Sequence, residues 1–282
     1  MPRNTDAIVR KPAVAGMFYD ADAARLRQQL SSFFANANTK PTCIGVISPH
    51  AGYVYSGRTA AWAIASLKPA KTFIILGPNH NGIGPEFSCF ASGSWQTPLG
   101  KVDVDEHAAK RLAEQCKFLR ADAMGHMMEH SIEVQLPFLQ HRFGSFGIVP
   151  ISVMNAGYGR EFFGKCIELG KAIATVSREN VETLENSLGI VASSDFSHYL
   201  PKEVADKKDG MAVEKIIGLN VNGFFKTLED IDASVCGFGP IAVLMSAARQ
   251  LGLKAKLVNK STSGDATGDY SSVVAYYAIG FY

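Results

Sequence analysis

The sequence predicts an α/β fold: a single central sheet, mostly parallel or mixed, flanked by helices. The prediction rests on one pattern written three times. Ile44 to Ser48 runs into Pro49-His50, Thr72 to Gly77 runs into Pro78-Asn79-His80, and Gly189 to Ser193 runs into Ser194-Asp195-Phe196-Ser197-His198. Each run is short, apolar and free of polar alternation, as suits a strand covered on both faces. Pro49 cannot continue a ladder, so the chain leaves the sheet there. Between the first two runs, Gly57 to Leu67 is rich in small and apolar residues and reads as a buried crossover helix, which completes a βαβ unit.

The remaining elements follow in order. Residues 1–12 read as a loose leader, and residues 13–282 as one domain, since no linker, low-complexity tract or internal repeat divides them. Asp20 or Asp22 caps a helix through about Phe34, in which Leu26, Leu30, Phe33 and Phe34 share helical spacing. Residues 81–104 carry four glycines and two prolines without helical period, and read as a short hairpin or long loop over the strand ends. Asp105 caps a helix to about Cys116. Ser131 is placed to cap another, which Pro137 bends or starts later. A strand over Ile148 to Val153, helices over Arg160 to Ser177, Lys202 to Gly218, Asn222 to Leu228 and Ile241 to Leu251, and closing strands over Ala255 to Ser261 and Ser272 to Phe281 complete the chain.

Composition narrows the function classes. The 282 residues are 47% hydrophobic and 19% charged, with a formal charge of +2 and no block of like charges, so no nucleic-acid or anionic-membrane footprint is expected. No apolar run reaches the roughly 18 residues of a membrane span, and the start lacks a signal-peptide core, which points to the cytoplasm. Cys43, Cys89, Cys116, Cys166 and Cys236 are odd in number and never paired as Cys-x-x-Cys, so reduced thiols are expected.

The chemistry is sought at the strand ends, because ligands of open α/β sheets bind beyond the carboxyl ends of parallel strands. His50 and His80 occupy equivalent places in adjacent βα units. Neutral imidazole is the commonest protein metal ligand, so the pair reads either as two metal ligands or as histidines bonded to loop carbonyls. Cys236 precedes a helix N-terminus among glycines and is the candidate third ligand, since thiolate needs the positive potential of a helix end or a metal. The other four cysteines read as small hydrophobes. His130 and His198 are candidates for proton transfer, and Asp195 for orienting one of them or for capping its turn. Tyr53 and Tyr55 line the pocket or the core. His107, His126 and His141 receive no role. No phosphate loop, dinucleotide fingerprint or Gly-x-Ser-x-Gly elbow follows a strand.

Five blocks in order, Pro49-His50-Ala51-Gly52-Tyr53, Gly77-Pro78-Asn79-His80, Glu129-His130-Ser131-Ile132-Glu133-Val134-Gln135-Leu136-Pro137, Ser193-Ser194-Asp195-Phe196-Ser197-His198 and Cys236-Gly237-x-x-Pro240, resemble those of the Memo family. Its microbial members are known as AmmeMemoRadiSam system protein B. The resemblance implies a fold similar to the class III extradiol dioxygenases, which bind non-haem iron through two histidines and a carboxylate. It implies His50, His80 and Cys236 as ligands of iron or copper, with zinc an alternative for so soft a set. It also implies His130 and His198 as the proton-transfer pair, and Asp195, from the residue pattern, completes the surrounding shell. The expectation is a metal-binding, redox-active metalloenzyme, an oxidoreductase taking a small-molecule or peptide ligand and associated with a radical SAM protein. A non-enzymatic peptide-binding or partner-binding module and a metal-dependent hydrolase or lyase are the alternatives. Where animal members carry a basic residue and a histidine after Cys-Gly, this chain has Phe238 and Gly239. Their peptide-binding role is therefore not carried over, and a more apolar pocket is expected.

Overall fold

The computed structural model describes residues 8–179 and 187–282. Its strands are β1 (Val9–Arg10), β2 (Gly45–Ser48), β3 (Thr72–Asn79), β4 (Phe87–Cys89), β5 (Ser94–Thr97), β6 (Gly100–Val104), β7 (Arg120–Ala121), β8 (Gly147–Met154), β9 (Leu188–Ser193), β10 (Ala255–Thr262) and β11 (Ala275–Phe281). They form one mixed sheet in the order β1-β5-β6-β8-β3-β9-β2-β11-β10, with β4 on β8 and β7 on β4. The middle four, β8, β3, β9 and β2, are mutually parallel. This is the single-domain α/β arrangement with a mixed central sheet that the sequence predicts.

Alternate residues of the central strands serve opposite faces, as the two-residue period of a strand requires. Ile74 and Leu76 join the core under helices Arg160–Glu179 and Phe238–Leu251. Phe73 and Ile75 join the core under helices Ala23–Phe34, Tyr53–Ser66 and Leu136–Phe143. Asp22 caps the first of these helices through the amides of Ala24 and Arg25. Pro137 falls in the first turn of helix Leu136–Phe143, where its missing N–H costs nothing, and a short 3₁₀ turn over Glu133–Gln135 leads into it.

Two expectations are corrected. The loose leader does not extend through residue 12, because Val9 and Arg10 pair in parallel with Ser94 and Trp95 and Arg10 is completely buried. Its guanidinium lies 4.4 Å over the Trp95 ring and donates to the carbonyls of His126 and Glu129 and to the carboxylate of Glu133. Residues 1–7 lie outside the described residues. The hairpin within 81–104, β5 with β6, does not cover the histidine-bearing strand ends. β6 joins β8 at Gly147 and Ile148, the opposite end of that strand.

Candidate metal centre

His50, His80 and His198 all follow carboxyl ends of parallel strands, β2, β3 and β9. Cys236 approaches from the loop before helix Phe238–Leu251, whose N-cap is Gly237. That loop presses hard on the end of β9. A Cβ on Gly237 would stand 2.3 Å from the Ser193 carbonyl oxygen and 2.5 Å from the Ser194 Cβ, so only glycine lets Cys236 come this close. The amide of Asp195 donates to Cys236 Sγ at 3.2 Å, and Asn155 Nδ2 donates to the Cys236 carbonyl at 2.8 Å.

The structure brings His50, His80 and Cys236 together. One donor atom from each lies within 4.8 Å of the others, and His50 Nε2 is 3.2 Å from Cys236 Sγ. Donor atoms about 2.0–2.3 Å from a tetrahedral ion stand roughly 3–4 Å apart, a spacing that the His50–Cys236 pair meets, so the three form a candidate site for one small cation.

The hydrogen bonds around His50 determine its tautomer. Ser193 Oγ donates its single hydrogen to the Ser131 carbonyl at 2.7 Å and accepts from Gln135 Nε2 at 3.0 Å. Gln135 is itself oriented by donating to the Pro49 carbonyl. His50 Nδ1, 2.9 Å from the same hydroxyl, is therefore the donor, and Nε2 keeps its lone pair for the crevice. Burial holds the His50 imidazole well below its usual pKa, and the neighbouring histidines push the same way. His50 thus presents a neutral donor atom, Nε2, to the crevice.

His80 is held by Glu129, which sequence reasoning overlooked. Its amide donates to Glu129 Oε2 at 2.6 Å and its Nδ1 lies 3.0 Å from Oε1. Burial raises the Glu129 carboxyl, but the His80 hydrogen bond, the charges of His80 and His130 and the Ser131 amide outweigh it and bring it down to about 2. The turn carrying His80 is closed by Asn79, whose Oδ1 accepts from the amides of Asn81 and Gly82 while Nδ2 donates to the Ile83 carbonyl. A Cβ at Gly77 would meet Ser131 Oγ at 2.5 Å, so this glycine admits the segment that bears Glu129 and His130.

His130 stacks on His80 with centroids 4.8 Å apart and stands 5.5 Å from His50, while Phe18 closes on its other side at 4.7 Å. His198 is half-buried, with Nδ1 donating to the Ser234 carbonyl at 2.9 Å. Burial lowers the pKa of both. Asp195 accepts from the His50 amide at 2.8 Å, and burial pushes its carboxyl up to about 7 against the backbone amides of His50 and Ala51. It steadies the His50 backbone and the Cys236 loop, while the His50 ring is oriented by Ser193.

Three further expectations change. Phe238 does not face the pocket: it is buried among Tyr158, Phe162 and Phe225, so it leaves the crevice no more apolar. Tyr53 belongs to the core, its hydroxyl donating to the Val134 carbonyl, while Tyr55 is exposed. The helix end beside Cys236 does not make its thiol acidic, because burial and the nearby Asp195 carboxylate push the pKa up and the local hydrogen bonds do not offset them. A bound cation would favour the ionised sulfur there.

The Memo-like protein family model matches residues 10–280. MEMO1 family protein TV1383 of Thermoplasma volcanium is 40% identical over 277 residues, covering 96% of this chain and 98% of the relative. A MEMO1 family protein of Methanosarcina barkeri is 41% identical over 274 residues, covering 96% and 99%. The fold is similar to that of the uncharacterized protein JW3007 from Escherichia coli K12, with a TM-score of 0.56 and 12% identity over 83% of this chain and 98% of that one.

Proposed function

The chain belongs to the Memo-like family, and from that premise we propose that its strand-end crevice is a metal centre held by His50, His80 and Cys236. The observation that carries the reading is the meeting of His50 Nε2, unprotonated by virtue of Ser193, with Cys236 Sγ at 3.2 Å inside a three-donor cluster. Two imidazoles and a thiolate make a soft set that suits iron or copper in a redox role and accommodates zinc. A bound ion would supply Lewis acidity or electron transfer to a ligand in the crevice.

The chain's own groups do the rest. His130 and His198, kept neutral near pH 7 by burial, accept protons at the crevice wall. Asp195, titrating near neutrality, holds or releases one beside His50. Phe18 against His130 limits water on that side. The proposed activity is that of an oxidoreductase on a small molecule or peptide, in the cytoplasm and alongside a radical SAM partner. Among the described residues no helix is long and apolar enough to cross a membrane.

The test is metal analysis of the untagged protein purified without oxygen, followed by oxygen consumption on air admission with iron or copper bound. One equivalent of metal and oxygen uptake are expected. A protein that takes up no metal is a binding module, and one active with zinc and indifferent to oxygen is a hydrolase or lyase.

A further inference from the structure

We infer that Glu129 is a positioning residue: it fixes His80 in the Nδ1–H tautomer and sets its carboxylate beside the stacked ring of His130. The inference rests on the metal-centre reading for its consequence, but its geometry stands apart from any ion. Glu129 Oε1 lies 3.0 Å from His80 Nδ1 and 3.4 Å from His130 Nδ1, and it also accepts the Ser131 amide at 2.9 Å. Oε2 takes the His80 amide at 2.6 Å and lies 3.4 Å from Asn81 Nδ2. The two rings lie nearly parallel, at 19°, with centroids 4.8 Å apart.

His80, bonded to Glu129 through Nδ1, turns its Nε2 edge away from that carboxylate, and His130 stacks on the same ring. A carboxylate accepts and never donates when ionised, so a hydrogen bond to it leaves His80 Nδ1 protonated and Nε2 free. Glu129 is almost fully buried and its own position is fixed by four donors, the His80 amide and Nδ1, the Ser131 amide and Asn81 Nδ2. The result is a ligand, His80, fixed by one carboxylate, with the base His130 stacked against it. Such a support raises ligand basicity, and its loss typically costs about 10–100-fold in metal affinity.

The experiment reads histidine tautomers by long-range ¹H–¹⁵N correlation in the protein stripped of metal, with resonances assigned by His80→Gln and His130→Gln. Anaerobic Fe(II) and Zn(II) titrations of the wild type, Glu129→Gln and Glu129→Ala accompany it. His80 as the Nδ1–H tautomer in the wild type, together with a roughly 10–100-fold affinity loss in Glu129→Gln at unchanged stoichiometry, is the expected result. His80 as the Nε2–H tautomer overturns the inference even if neither variant folds. So does a wild-type affinity in Glu129→Gln, or a stoichiometry of two ions falling to one, which would make Glu129 a ligand itself. Should the wild type bind neither ion while His80 shows the Nδ1–H form, the metal-centre reading falls and the positioning role stands.

Discussion

His50 Nε2 stands 3.2 Å from Cys236 Sγ across 186 residues of sequence. Each arrives by its own route, the imidazole at the end of β2 and the sulfur on a loop pressed against the end of β9. Removing the sulfur is therefore expected to reduce metal uptake more than removing any side chain that merely orients a ligand. Cys236→Ser should lower affinity for Fe(II) or Cu(I) by more than about 100-fold, the upper end of what loss of a supporting contact costs. Competition titration against a chelator of known affinity measures it, and an unchanged constant would remove Cys236 from the site.

Gly237→Ala probes the same approach from the backbone. Its added Cβ would fall 2.3 Å from the Ser193 carbonyl, so the loop must retreat and carry the sulfur with it. The variant should fold with a stability loss of about 1–3 kcal/mol, in the range of single-site strain, and bind metal as poorly as Cys236→Ser. Thermal unfolding and the same titration decide between this outcome and a purely structural defect.

Ser193→Ala removes the hydroxyl that dictates the His50 tautomer. It leaves the Ser131 carbonyl without its donor and Gln135 Nε2 short of one acceptor, which costs roughly 1–3 kcal/mol of stability for buried polar groups. Metal affinity should fall by about 10–100-fold because His50 is then free to turn or to protonate on Nε2. Ser193→Thr, which retains the hydroxyl, should restore affinity more than stability.

How far the sequence discloses all this depends on the kind of contact. The strand ends are legible because apolar runs halted by Pro49, or by the Pro78-Asn79 and Ser194-Asp195 turns, are local signals, and they place His50, His80 and His198 correctly. Glu129, Gln135 and Ser193 are ordinary polar residues whose roles exist only in contact with partners 49 to 143 positions away. The nearest local hint was the position of Glu129 beside His130. Phe238 misled because the helix begins there, three residues earlier than at Ile241, which rotates its side chain into the core. The β5–β6 hairpin misled because its anchor, β8, comes more than 40 residues later in the chain.

The buried ion pair of Arg10 with Glu133 ties the amino-terminal strand to the segment carrying Glu129 and His130. Glu133 also accepts from the Ala13 and Val14 amides and the Tyr19 hydroxyl, so its loss orphans several buried donors. Glu133→Ala and Arg10→Ala should each destabilise by about 3–5 kcal/mol, as for removal of one partner of a buried pair. The coupling between them in a double-mutant cycle should be large. Urea denaturation monitored by tryptophan fluorescence is suitable, since Trp95 packs directly on Arg10.

His126 gives the fold a defined acid response. It is fully buried against Phe90 and Trp95, its Nε2 donates to Ser88, and its Nδ1 has no hydrogen-bond partner among the described residues. Burial pushes its pKa down from 6.5 to about 4, against smaller opposing effects of the Ser88 carbonyl and the Asp122 charge. The unfolded chain thus takes up this proton near pH 6.5 while the folded chain resists until about 4, so the unfolded state binds more protons between those limits. Stability from His126 is complete above pH 6.5, declines as the pH falls through the window and levels off below 4. The total is on the order of 3 kcal/mol, from a shift of about two and a half pH units at 1.4 kcal/mol each. His126→Gln keeps a donor toward Ser88 without a titrating group, so the wild-type minus variant difference in urea-derived stability should shrink on acidification from pH 7 to 4. A difference that stays constant across that range would show that His126 is protonated alike in both states and that its burial carries no acid sensitivity.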